Sequence, residues 1–101
     1  MADEVKLVDK ERIKSMFIDM QLIDKENIGA KVAAAQNVIQ QASKAGFSIP
    51  SHIWEALSTA ENLYGQYEDA SFVTKPIYAS RIEHDVLWWV IVQFEKVLGQ
   101  D

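Results

Sequence analysis

Apolar residues recur three or four positions apart in four separate segments of this 101-residue chain. When such a segment is helical, the spacing places one apolar stripe along it, whereas a half-buried strand would alternate apolar and polar residues. We therefore predict helices over residues 9–20, 25–45, 49–67 and from 74 or 75 to 98. The short connections favour an all-α, single-domain antiparallel helical bundle over residues 1–101, with a short flexible N-terminus over residues 1–8.

Residues typical of helix ends support these boundaries. Asp9, Asp24 and Ser48 are candidate N-caps, and Pro50 suits the first turn of the third helix, where its missing N–H costs nothing. Gly46 can take the left-handed conformation that ends the second helix. The apolar stripes predict the core positions Ile13, Met16, Phe17, Met20, Ile28, Val32, Ala35, Ile39, Ala42, Ile49, Ile53, Ala56, Leu57, Ala60, Leu63, Tyr64 and Tyr67.

The charge distribution argues against nucleic acid and membrane as partners. Residues 1–50 carry seven basic and seven acidic side chains, whereas residues 51–101 carry three basic and eight acidic ones, so the net charge of −5 lies in the second half. Phosphate recognition needs clustered basic groups, which this chain lacks. The N-terminus shows no basic, apolar signal segment, and the longest apolar run, residues 86–92, is far below membrane-spanning length. We therefore expect a soluble, cytoplasmic protein.

The last predicted helix has more apolar surface than a single stripe. At 100° per residue, its apolar side chains cover about 200°, roughly twice the usual width. Trp88 and Val92 lie among the charged residues of the remaining sector. Trp54 similarly lies off the apolar stripe of the third helix.

Two interpretations follow from this excess. In one, the last helix is the central helix of an irregular bundle, and the preceding loop covers Trp88. In the other, part of this surface contacts another protein chain, because exposed aromatic clusters mark interaction sites. The second interpretation assigns the protein interface to Trp54, Trp88, Ile91, Val92 and Glu95.

Few residues suggest catalysis, a metal site or a cofactor site. The two histidines, His52 and His84, lack the spacing to carboxylates that a di-metal bundle requires, and neither is followed by a lysine three positions on, as in common phosphorelay bundles. The absence of cysteine removes thiolate zinc sites and cysteine nucleophiles. We expect neither a metal nor a cofactor, and we expect the protein not to be an enzyme.

The sequence therefore predicts a small regulatory, inhibitor or immunity-type protein that binds protein, in the simplest case as a homodimer through the C-terminal helix. An alternative is binding of a small molecule or lipid in an aromatic pocket formed by Trp54, Tyr64, Trp88 and Trp89. A histidine phosphotransfer bundle is a third, weaker alternative.

Overall fold

The apolar stripes form helices that pack on one another in the computed structural model, which describes residues 7–99. The helices are α1 (Leu7–Gln21), α2 (Ile28–Lys44), α3 (Ser51–Asp69), α4 (Lys75–Ser80) and α5 (Trp88–Gly99). A 3-10 turn, Lys25–Asn27, precedes α2, and a π-helical segment, Arg81–Leu87, joins α4 to α5 without a break. Residues 75–99 therefore form one rod, called the C-terminal helix below. The predicted all-α bundle of four helices is confirmed.

Each helix packs against the next one in the chain, α1 on α2, α2 on α3 and α3 on the C-terminal helix. Two contacts show that α3 and the C-terminal helix run antiparallel. The Lys75 ammonium lies 4.7 Å from the centre of the Tyr67 ring near their connection. At the other end, the His52 and Trp89 rings are 5.2 Å apart.

Several predicted helix starts are wrong by a few residues. Helix α1 begins at Leu7, so Asp9 lies inside it, and only residues 1–6 of the predicted flexible segment fall outside the described part. Helix α3 begins at Ser51, so Pro50 is the N-cap residue and Ser48 lies before the helix. The physical reason is that a residue preceding proline is disfavoured in helical conformation, which prevents a start at Ile49. Asp24 makes no capping hydrogen bond with its side chain within residues 7–99.

The predicted end of α2 is confirmed at Gly46, whose φ angle is 109°. The Phe47 amide donates to the Ala42 carbonyl at 3.0 Å, and the Gly46 amide donates to the Ser43 carbonyl at 3.2 Å. This pair of bonds is a Schellman motif, in which glycine accepts the left-handed backbone without a steric penalty. The motif turns the chain so that Phe47 is buried in the hydrophobic core.

The predicted stripes supply most of the core. All four helices contribute, and the rings of Phe17 and Phe94 meet edge to face with centroids 5.0 Å apart. Predicted core positions that are only partly buried are Met16, Ile49, Ala56, Leu63, Tyr64 and Tyr67. The remaining predicted positions are buried.

The π-helical segment explains part of the wide apolar arc of the C-terminal helix. The Trp88 amide donates to the Glu83 carbonyl, five residues earlier. Hydrogen bonds of this type widen the turn, so residues five apart come to lie on nearly the same face. Ile82 and Leu87 are such a pair, and both are fully buried, although a constant 100° step separates them by about 140°. Part of the apparent excess is therefore a change of helical register.

None of the helices within residues 7–99 combines the length and the apolar character that crossing a membrane requires.

Candidate functional site

A cleft of about 770 Å³ lies at the connection between α3 and α4. We call it the turn cleft. Its apolar wall comes from the connecting loop and the start of α4, through Phe72, Val73 and Pro76. Its polar groups come from three elements. The 3-10 turn supplies Glu26, α3 supplies Tyr67, and the C-terminal helix supplies Lys75, Ser80, Glu83 and His84.

The π-helical segment places Glu83 against a lysine of α2. Lys31 Nζ donates to Glu83 Oε1 at 2.7 Å. Lys31 is buried and the Glu83 side chain is 20% exposed. The second carboxylate oxygen, Glu83 Oε2, is buried without a hydrogen-bond partner among residues 7–99. A buried acceptor left unpaired is destabilising, and it belongs here to a residue that lines the cleft.

An aromatic pair supports the α3 side of the cleft. The Tyr64 and Tyr67 rings stack with centroids 5.7 Å apart, and Lys75 covers the Tyr67 ring. Helix α2 approaches the pair closely at Gly29, where an added Cβ would lie 2.5 Å from the Tyr64 Cζ atom. Glycine at this position thus permits the close packing of α2 against α3, which holds both tyrosines in place.

The loop between α3 and α4 exposes large apolar side chains. Phe72 is 90% exposed and Val73 is 79% exposed. Hydrogen bonds between Ser71 and Thr74, including a contact of 3.0 Å between their hydroxyl oxygens, fold the loop into a tight turn. Phe72 and Val73 thus add exposed apolar surface beside the cleft that they line.

A second surface feature is one edge of α5. At 100° per residue, Trp88, Ile91, Val92 and Glu95 lie within about 100° of one another. Trp88 is 60% exposed, Ile91 and Val92 are half-buried, and Glu95 is exposed. We call these four residues the Trp88 edge. The predicted covering of Trp88 by a preceding loop is therefore wrong, because the residues before Trp88 continue the helix. The other part of that interpretation agrees with the structure, since the C-terminal helix contacts α1, α2 and α3.

Trp54 does not share this edge. It is 37% exposed and lies on α3, two residues from His52. Because side chains two residues apart point about 200° away from each other on a helix, Trp54 faces away from the contact between His52 and Trp89. Four of the five predicted interface residues thus lie on one side of α5, and Trp54 lies on α3.

Neither described cavity matches the aromatic pocket that the sequence suggested. The turn cleft contains none of Trp54, Tyr64, Trp88 and Trp89, although Tyr64 stacks on Tyr67 in its wall. A smaller groove of about 360 Å³ lies between α1 and α5 and is lined by Phe17, Ile18, Leu98 and neighbouring residues.

The histidines occupy separate environments. His52 packs against Trp89, and His84 lies exposed at the turn cleft. Within the described part of the chain, no three side chains among histidine, cysteine, aspartate and glutamate are grouped so that they could hold a metal ion.

The turn cleft was not predicted from the sequence. One signal was present, because Phe72 and Val73 form an apolar pair inside a polar connection between two helices. The pairing of Lys31 with Glu83 gave no such signal, since 52 positions separate these residues.

Comparisons of the chain with protein-family models, with curated proteins and with solved structures each found no significant match.

Proposed function

We propose that this protein is a non-enzymatic binding module that associates with protein, in the simplest case with a second copy of itself, through the Trp88 edge. The observation that supports this most strongly is the 60% exposure of Trp88 in the C-terminal helix. Tryptophan is the residue type most enriched at the energetic centres of protein interfaces.

The exposed area of Trp88 sets the size of its contribution to the free energy of association. An aromatic side chain of this size buries roughly 150–250 Å² when fully covered, so covering the exposed part of Trp88 removes on the order of 130 Å² from water. At about 25 cal/mol per Å², this burial contributes about 3 kcal/mol for each copy. The half-buried side chains of Ile91 and Val92 extend the same apolar surface along α5.

Charges around the edge are compatible with self-association. The exposed groups within about two turns of Trp88 include the acids Asp85 and Glu95 and the bases Arg81 and Lys96. These two negative and two positive side chains of the C-terminal helix balance, which is compatible with the approach of two copies despite the net charge of −5. A two-fold dimer places the same patch on both sides of the interface.

Analytical ultracentrifugation over a range of micromolar concentrations tests the proposal. We expect a dimer whose dissociation constant rises about 30-fold or more in the Trp88→Ala variant, because loss of an interface centre costs 2 kcal/mol or more. The matched control is Phe72→Ala, which removes another exposed aromatic ring far from this edge and should leave the dissociation constant unchanged.

Two results would contradict self-association. One is a monomer of 11.5 kDa at every concentration. The other is an equal effect of both substitutions, which would indicate nonspecific apolar contact. Circular dichroism of each variant separates a loss of association from a loss of folding.

A further inference from the structure

The turn cleft has the size and the polarity of a small-molecule site. Its volume of about 770 Å³ falls within the usual range of roughly 300–1,000 Å³ for ligand pockets. We propose that the cleft binds a small organic cation with an apolar body, whose ammonium group faces the carboxylates of Glu83 and Glu26.

The first argument is the unpaired oxygen of Glu83. Lys31 satisfies only Oε1, which leaves Oε2 buried and without a hydrogen-bond partner among residues 7–99. Glu83 is one of the residues that line the cleft, and the terminal torsion of a glutamate is soft, so its carboxylate can rotate to offer Oε2 to a ligand. An ammonium N–H supplies the donor that this oxygen lacks, and a hydrogen bond between charged groups is stronger than one between neutral groups.

The charged groups around the cleft include a carboxylate that is open to a cationic ligand. Among the described lining residues, Glu26 and Glu83 come from different elements and contribute two carboxylates, and Lys75 contributes one ammonium. That ammonium already lies over the Tyr67 ring, 4.7 Å from its centre. Lys31 offsets part of the charge of Glu83 but does not line the cleft. The two carboxylates and the two ammonium groups are equal in number, and Glu26 is the carboxylate with no ion-pair partner among the described side chains, so it is the group available to a cationic ligand.

The third argument is the apolar wall. Phe72 and Val73 are 90% and 79% exposed, the two highest values among the large apolar side chains described as exposed. They lie beside the acidic groups, so one ligand can place an aromatic or aliphatic body on them while its amine reaches the carboxylates. None of the four residues of the Trp88 edge lines the cleft, which makes this site independent of the proposed protein contact.

Isothermal titration calorimetry with three matched probes tests the proposal. Phenylbutylamine, phenylbutanol and phenylbutyrate share an apolar body and differ in being cationic, neutral and anionic at neutral pH. We expect the amine to bind at least tenfold more tightly than either analogue. Amide chemical shifts should change at Val73, Ala79 and Ser80 in the cleft and remain constant at Trp88.

Substitutions identify the residues that contact the ammonium group and those that contact the apolar body of the ligand. Glu26→Gln should weaken amine binding about fivefold. Phe72→Ala should lower the affinity of every probe that binds the original protein. Glu83→Gln should weaken amine binding about tenfold. Should that variant fail to fold after losing its charge pair with Lys31, the exposed Glu26 and Phe72 positions still test the site. Glu55→Gln, an exposed carboxylate of α3 outside the cleft, is the matched control and should have no effect.

Three results would overturn the proposal. They are equal affinities for the amine and the alcohol, tighter binding of the carboxylate, and an absence of amine binding up to millimolar concentration. Amine binding that Glu26→Gln and Phe72→Ala both leave unchanged would place the ligand elsewhere and would overturn it as well.

Discussion

Replacing Lys31 with methionine tests the main polar contact of the core. Lys31 is 6% exposed, and its Nζ atom lies 2.7 Å from Glu83 Oε1. Methionine retains much of the apolar stem and removes only the charged end, so packing changes little. The substitution leaves a carboxylate whose other oxygen already lacks a partner among the described residues.

The expected destabilisation lies between two reference cases. Removing one partner of a fully buried ion pair costs about 3–5 kcal/mol, whereas exposed pairs contribute about 0–1 kcal/mol. The Glu83 side chain is 20% exposed, which places this pair nearer the buried case. Allowing for screening by solvent, we expect a loss of about 2–3 kcal/mol. For a domain of this size, that corresponds to a melting temperature lower by about 10–20 °C.

Urea and thermal denaturation, followed by far-ultraviolet circular dichroism, measure this loss. The double variant Lys31→Met with Glu83→Leu should regain stability to within about 1 kcal/mol of the original protein, because an apolar pair replaces the charged one. Arg12→Met is the control. It breaks the exposed contact of Arg12 with Asp9, 3.7 Å long, and should cost less than about 0.5 kcal/mol.

The role assigned to the Lys31–Glu83 pair is refuted if Lys31→Met lowers the free energy of unfolding no more than Arg12→Met does. It is also refuted if the double variant is no more stable than Lys31→Met alone, because an unpaired charge at Glu83 would then not be the source of the destabilisation.

The other predictions concern backbone space and packing, and the same denaturation assay measures them all. Gly29→Ala should destabilise the protein by about 1–3 kcal/mol, because the new Cβ overlaps the Tyr64 ring. Gly65→Ala, in an open part of α3, should stabilise it by about 0.5–1 kcal/mol, and a loss there would contradict the helix-propensity argument. Gly46→Ala should cost about 1–2 kcal/mol, since the φ angle of 109° suits only glycine. Phe94→Ala should cost about 3–5 kcal/mol, and a much smaller loss would mean that the ring is not buried.

Part of the candidate surface was predictable from the sequence. The four residues of the Trp88 edge share one side of a regular helix, so their spacing alone places them together. Whether Trp88 is covered depends on the path of the preceding chain, which no local pattern specifies. Trp54 was grouped with them only because it also lies off an apolar stripe, and its direction on α3 became clear from the contact of His52 with Trp89.

The sequence alone could establish those features that depend on residues close together in the chain. Helix type follows from apolar spacing, and the end of α2 follows from Gly46, because stripes and caps involve residues only a few positions apart. The π-helical segment is different, since a sequence step of constant 100° contains no information about a widened turn. Only packing against the other helices decided that Ile82 and Leu87 share a buried face. The tertiary structure likewise decided that Glu83 meets Lys31, because the two side chains are close only after α2 and the C-terminal helix have packed.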